Sequence, residues 1–496
     1  MSSRVPGLFA ACQLLLACAG KDATTLPPTG QVVLYVTTDA PLPPAPGERA
    51  DPNAPPALFD RLRVDVFAPG AQEPCQDCSR EFELDRIRVR NGEASFGIVP
   101  RPGATGYVAR ARLYRAITVT GGEPPRLSTI EVYAALPAVS AEGIVKATIE
   151  LRVNDVGHSV GSLSSPSRVV PGEPDFSQIR TWPNAMRVPC ANAPSPGEAC
   201  VPGGAFWLGH PQLGFYGDGT DASETRLVVV SPFYVDLHEV TVAEFRASGL
   251  AKLEMGSSID PSIGPPEVPP AADDPTALRA DNEQFFCDYS DVAFGAGQSR
   301  EQLALNCVSW SAASAYCTAH GKTLPSEAQF EYVSSGLRSE LFLWGQDAPK
   351  CADSVWGNGG VGAYLAYSDA CRPKDAYGGP LAPGNGRLDR LALTGGEVLD
   401  LIGNLNEWTR DHWNRTSEPC WAGQSLLINP ECTGLSIDGD YRTVKGGSWN
   451  IQPTPAAIRK GQPLHSPPQL APSDSASSKP ASERTQTGFR CVRPAR

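Results

Sequence analysis

Histidine is scarce in this chain of 496 residues: there are six, and residues 1 to 157 contain none. His158, His210, His238, His320, His412 and His465 show no metal-ligand spacing. Clusters of Lys and Arg are missing too, and the formal net charge is −12. Nucleic acid is excluded as a partner on that ground, because phosphate neutralisation needs clustered cations. The apolar run from Leu8 to Ala17 is too short to cross a bilayer. No nucleophile motif or phosphate-cradling loop occurs. Cysteine, plentiful elsewhere, is absent between Cys432 and Cys491.

What is present is a globular composition rich in turns. Gly and Pro number 48 each, 41% of residues are hydrophobic and 19% charged. The length suggests several domains. At the start, one Arg, a short apolar run and Leu15-Leu16-Ala17-Cys18 resemble a bacterial lipobox. Residues 1–17 are then a signal peptide, Cys18 is the lipidated residue, and 18–30 is a polar, Pro-rich tether; a plain cleaved signal is the alternative. Membrane attachment is expected through lipid only. The expected location is the bacterial cell envelope, on the periplasmic or cell-surface side.

From residue 31 to 154, short runs such as "QVVLYVTT", "RLRVDVFA" and "VKATIELRV" alternate apolar and polar residues between Gly and Pro turns. Period-two runs rich in Val, Ile, Tyr and Thr predict an all-β sandwich. Residues 155–196 are rich in Ser, Pro and Gly and read as a linker into a second domain, 197–496. Two Pro-rich segments, 257–277 and 466–486, read as a surface insertion and a long loop within it.

The 14 cysteines fit export. Setting aside Cys12 in the signal and Cys18 leaves an even number for disulfides. Short separations suggest Cys75 with Cys78, Cys190 with Cys200, Cys287 with Cys307, Cys351 with Cys371 and Cys420 with Cys432. Cys317 and Cys491 remain for each other, although spacing alone does not fix connectivity. For "CQDC" at 75–78, a loop disulfide is favoured over a redox pair, because no βαβ context surrounds it.

In the second domain, "VPGGAFWLG", "SPFYVDLHEVTVAEFRA", "NCVSWSAASAYCTAHGKTLPSEAQFEYVSSG", "LFLWG", "LIGNLNEWTRDHW", "VKGGSW" and "TGFRCVR" follow in that order. This series resembles the formylglycine-generating enzyme or sulfatase-modifying factor family across nearly all of residues 197 to 496. The resemblance implies an α+β domain low in regular secondary structure, a variant of the C-type lectin fold. Beside it, the residues themselves predict two helices: one with Ser309 as cap and Gly321 as stop, one opened by Ser326 after Pro325. The family joins positions matching Cys317 and Cys491 by a disulfide. It also binds a structural calcium where Asp400, Gly403, Leu405 and Glu407 stand, the middle two through carbonyls. Hard cations favour such oxygen sets. A turn whose Glu407 makes a buried hydrogen bond or salt bridge is the alternative.

Family members that form formylglycine hold copper(I) with two cysteines after the Gly-Gly-Ser turn, soft thiolates suiting a soft ion. The resemblance places these at Ala456 and Gly461, and no shift of register recovers a thiol, since none lies between Cys432 and Cys491. A related branch takes iron ligands from N-terminal histidines, which this chain lacks. His412, between Asp411 and Trp413, is a candidate acid or base but more often such a residue is a structural donor. The expectation is therefore a domain without copper and without catalytic residues. It would bind an envelope or extracellular protein, peptide or glycan through Trp408, Trp449, Asn450, Arg459 and Lys460, or serve as a structural component of the envelope. The alternative is a formylglycine-generating oxidoreductase or another metal-dependent enzyme of the family.

Overall fold

The computed structural model describes residues 30–48, 54–101, 104–119, 121–209, 225–250, 288–289, 300–306, 308–358, 370–371, 379–415, 418–435, 441–450, 462–465 and 486–495. The signal, Cys18, Cys287, Cys307, Ala456, Arg459, Lys460 and Gly461 lie outside them. So do the two Pro-rich segments, apart from Gln486.

The first domain is a sandwich of two sheets. Its strands are β1 (Gln31–Thr38), β2 (Arg61–Phe67), β3 (Ser79–Glu83), β4 (Ser95–Ile98), β5 (Val108–Tyr114), β6 (Ile130–Ala135) and β7 (Ile144–Leu151). Three short strands follow: β8 (Ser159–Val160), β9 (Ser167–Arg168) and β10 (Val170–Pro171). One sheet runs β10-β7-β1-β4; the other runs β3-β2-β5-β6-β8, with β9 also on β6. Alternation drives this arrangement. In β6 every second residue is buried, so Ile130, Val132 and Ala134 meet Val32, Leu34, Leu62, Leu113 and Ile149 in one core. On the outer face of β2 and β5, the carboxylate of Asp65 is held by Arg63, Arg110 and Arg112, and Ser79 donates to it at 2.7 Å. A single short helix, α1 (Arg86–Arg90), is capped by Asp85, which accepts from the N–H of Ile87 and Arg88.

Residues 155–196 are not a free linker. β8 and β9 extend the sheet at β6, and β10 pairs with β7. Trp182 is 2% exposed and its Nε1 donates to Asn154 at 3.0 Å. A Ser-, Pro- and Gly-rich composition reads as a linker, but such residues also suit a strap whose backbone hydrogen bonds go into existing sheet edges.

The second domain has strands β11 (Glu198–Val201), β12 (Gly204–Leu208), β13 (Arg226–Val230), β14 (Phe233–Asp236), β15 (Arg390–Leu393), β16 (Gly396–Leu399) and β17 (Asn406–His412). It continues with β18 (Leu426–Ile428), β19 (Tyr441–Lys445), β20 (Gln462–His465), β21 (Thr487–Gly488) and β22 (Val492–Pro494). They form small sheets, β11-β14-β22, β12-β13-β18, β15-β16 and β20-β19-β17-β21. Three helices are described here: α2 (Val242–Ala247), α3 (Trp310–Ala319) and α4 (Glu327–Ser334). This is an α+β fold low in regular structure. Ser309 caps α3 by accepting the N–H of Ala312, and Gly321 follows it at φ +69°. Ser326 and Gln329 form a capping box on α4.

The two domains share a core. Ala205, Trp207 and Leu227 from β12 and β13 pack into the same cluster as the sandwich interior. Trp207 is 1% exposed, stands edge-on to Phe59 with ring centres 5.4 Å apart, and donates from Nε1 to the Leu58 carbonyl at 2.8 Å. Ser425 donates to the Val156 carbonyl at 2.9 Å across the same seam. Truncating a buried Trp removes both packing and a hydrogen bond, so Trp207→Ala is expected to destabilise the chain by about 3–5 kcal/mol. Urea unfolding checks this. An unchanged midpoint would mean the seam carries no stability.

Candidate functional site

The centre of the second domain is a turn, residues 400–405, joining β16 to β17. Two of its residues, Asp400 and Asn404, have φ of 53° and 66°, a region that short polar side chains tolerate better than most. Two acids hold its N–H groups. Asp389 accepts from Leu401 at 2.9 Å, from Ile402 at 3.0 Å and from Gly403 at 2.8 Å. Glu239 accepts from the Leu405 N–H at 3.0 Å and from the Asn404 side chain at 2.6 Å.

The Gly-Gly-Ser-Trp turn after β19 docks onto the carbonyls of that segment. Gly447 donates to Ile402 at 2.9 Å and Trp449 to Asn404 at 2.7 Å. Gly446 adopts φ +89°, which explains glycine there. Ser448 is buried and donates to the Gln486 side chain at 2.7 Å.

Beneath lies an ion pair sealed from solvent. Arg490 donates from Nε to both oxygens of Glu407, at 2.9 and 2.8 Å, and from Nη2 to Oε1 at 2.6 Å. The same Nη2 reaches the carbonyls of Leu399 and Asp400 at 2.8 and 2.9 Å. Glu239, Asp389, Asp400 and Glu407 are all 0% exposed around this one guanidinium. The surplus of negative charge shows in their acidities. Burial, then the charges of Asp400 and Glu407, pushes Glu239 well up. Burial and Asp400 push Asp389 to about 7. Asp400 and Glu407 are raised by burial as well, against the pull of Arg490.

Among the described residues no group of three or more His, Cys, Asp or Glu is placed to hold a metal ion, and Glu407 makes the buried salt bridge expected as the alternative to a calcium ligand. Asp400 Oδ2 accepts the Gly384 N–H at 2.5 Å, but its Oδ1 is buried without a hydrogen-bond partner. The carbonyls of Gly403 and Leu405 accept no hydrogen bond from a described residue. Oε2 of Glu407 takes a single donor and keeps a lone pair. An orphaned carboxylate oxygen amid excess buried negative charge is what a divalent ion would satisfy.

The residues expected to line a binding face are placed differently. Trp408 is 1% exposed, packs in the core with Val444, Phe489 and Cys491, and donates from Nε1 to Val308 at 2.9 Å. Trp449 is also 1% exposed, against Ala304, Val355 and Leu405. Asn450 is buried. These three therefore do not form an exposed contact surface. Large aromatic rings beside a glycine turn serve here to fill the space under it. Arg459 and Lys460, with Ala456 and Gly461, lie outside the described residues. His412 is half-buried at the end of β17 and its backbone N–H donates to Cys432.

The cysteines close five described disulfides: Cys75–Cys78, Cys190–Cys200, Cys317–Cys491, Cys351–Cys371 and Cys420–Cys432. The pair Cys287 and Cys307 lies outside the described residues. The sequence reading missed Arg490, Glu239 and Asp389. The available signal was a charged residue wedged between core residues, as Arg490 is between Phe489 and Cys491, where burial demands a partner.

Residues 185–495 match the sulfatase-modifying factor enzyme 1-like domain. The chain belongs to this family. The sulfatase-modifying-factor domain is 28% identical over 319 residues to the formylglycine-generating enzyme of Mycobacterium tuberculosis, covering 59% of this chain and 96% of that one. It is 26% identical over 274 residues to the inactive C-alpha-formylglycine-generating enzyme 2 of Mus musculus, covering 53% and 77%. Among solved structures, PvdO from Pseudomonas aeruginosa aligns with 61% of this chain and 100% of its own at 18% identity, with a TM-score of 0.37. The matched region begins at residue 185, inside the strap and twelve residues before the boundary expected at 197.

Proposed function

We propose that this chain keeps the sulfatase-modifying-factor scaffold without its oxidase chemistry. It acts by binding an envelope or extracellular protein, peptide or glycan. One observation carries the reading: no cysteine lies between Cys432 and Cys491, and both of those are committed, Cys432 to Cys420 and Cys491 to Cys317. Copper(I) held by two thiolates after the Gly-Gly-Ser turn has no ligands to use. A relative named as inactive stands among those the chain matches, beside relatives named as formylglycine-generating enzymes. With Trp408 and Trp449 in the core, Arg459 and Lys460 remain the candidate contacts from the original set.

A structural calcium belongs to the same reading. Asp400 and Glu407 would hold it with the carbonyls of Gly403 and Leu405. The ion would supply charge neutralisation only, balancing the carboxylates that Arg490 leaves in excess. The chain is further proposed to be exported and anchored through lipid on Cys18. Disulfides throughout both domains agree with an oxidising compartment.

Three outcomes test these statements. Titration with copper(I), followed by incubation with a Cys-x-Pro-x-Arg peptide, is expected to give neither tight binding nor aldehyde; aldehyde formation would restore the oxidase. Chelation of calcium is expected to lower the melting temperature, with recovery on adding calcium back and no response in Asp400→Ala. A wild-type melting temperature indifferent to the chelator removes the ion from the account. In a bacterial host, the chain is expected in the membrane fraction and Cys18→Ala in the soluble one; identical partitioning would count against the anchor.

A further inference from the structure

A cleft of about 70 Å³ opens in the first domain where the end of β1, helix α1 and the strap meet. Apolar residues in its lining include Ala40, Pro41 and Leu42 with Val89 of α1. Its walls are cationic: Arg86 and Arg90, four residues apart on α1, and Arg180 on the strap. That concentration is unusual in a chain of net charge −12.

The acids nearby have other contacts, and Asp175, close to Arg180, accepts from the N–H and hydroxyl of Ser177 at 3.0 and 2.6 Å. Arg86 is paired with Glu48 through Nε at 2.9 Å and Nη2 at 2.5 Å. Arg88 takes Asp85 at 3.4 Å, and Glu93 accepts from the Asn91 side chain at 3.1 Å. Asp39 accepts the Val153 N–H at 2.9 Å. Arg180 donates to the carbonyls of Ser177 and Ile179, which satisfy N–H groups but do not neutralise a charge. Arg90 and Arg180 are both exposed; Glu48 lies near Arg90 and Asp175 near Arg180, but neither makes a direct ion pair with it.

We propose that this cleft binds a phosphate group, free or as the monoester of a small organic molecule, between Arg90 and Arg180. A guanidinium presents parallel N–H donors that one carboxylate saturates, whereas the several oxygens of a phosphate accept from two such forks at once. The cavity is several times the minimum needed for one water, so a phosphate with a short organic body fits. The apolar residues of the lining suit that body, and its arginines suit the charge. This site is independent of the second domain and of the function proposed for it.

Isothermal titration of the full chain with sodium phosphate, ionic strength held constant with chloride, tests the assignment. Saturable binding is expected. Arg90→Ala and Arg180→Ala are each expected to weaken it about tenfold, the scale of one lost charge-assisted contact. The double variant should show no saturable binding while its melting temperature without phosphate stays unchanged, because both side chains are exposed. Acetate is expected not to saturate. Absence of saturable phosphate binding, binding undiminished in the double variant, or acetate binding as tightly as phosphate would each overturn the proposal.

Discussion

The ion pair of Glu407 and Arg490 sits where four chain segments meet, and much of the second domain is arranged around it. Moving two charges out of water is unfavourable by several kcal/mol per ion. The pair persists because Glu407 is gripped by Nε and Nη2 of one guanidinium, and Nη2 also reaches the carbonyls of Leu399 and Asp400. That grip draws the last segment of the chain against β17. The neighbouring residue, Cys491, then lies beside Cys317 at the end of α3, and its N–H meets Asp236 at 2.9 Å. β22 is thereby aligned with β14. On the other side, the turn at 400–405 is pinned by Asp389 and Glu239, and its carbonyls become the dock for Gly447 and Trp449.

This explains how the chain can keep a glycine turn suited to close approach with no cysteine between Cys432 and Cys491. The turn approaches another part of its own backbone. Gly446 supplies the left-handed conformation, Ser448 is tied to Gln486, and Trp449 fills the space below. Each of these is a requirement of the scaffold. None depends on a thiol beyond the turn. The surplus of buried carboxylates belongs to the same frame.

The sandwich is attached as firmly as the domain is braced. Its interior is continuous with β12 and β13, and Trp207 crosses the seam with a hydrogen bond at its polar end and an aromatic contact on its face. The strap at 155–196 supplies three short strands and Trp182 to the sandwich before entering β11. A domain held in this way is positioned relative to its neighbour, unlike one on a flexible spacer.

Local rules determined a good part of this from sequence alone. The alternation in "IEVYAA", the caps at Ser309 and Ser326, and the glycine ending α3 each act over a few residues, so the chain states them directly. The absence of cysteine between Cys432 and Cys491 is stated as directly. Tertiary structure decided the rest. Glu407 and Arg490 are 83 residues apart, and nothing near either names the other. Trp408 and Trp449 looked like exposed contacts because an aromatic beside polar residues reads the same on a surface as over a core. Residues 155–196 looked like a linker because composition records which residues are polar but not which sheet edge accepts their backbone. In each case the deciding quantity is burial, and burial is set by residues that meet only once the chain has folded.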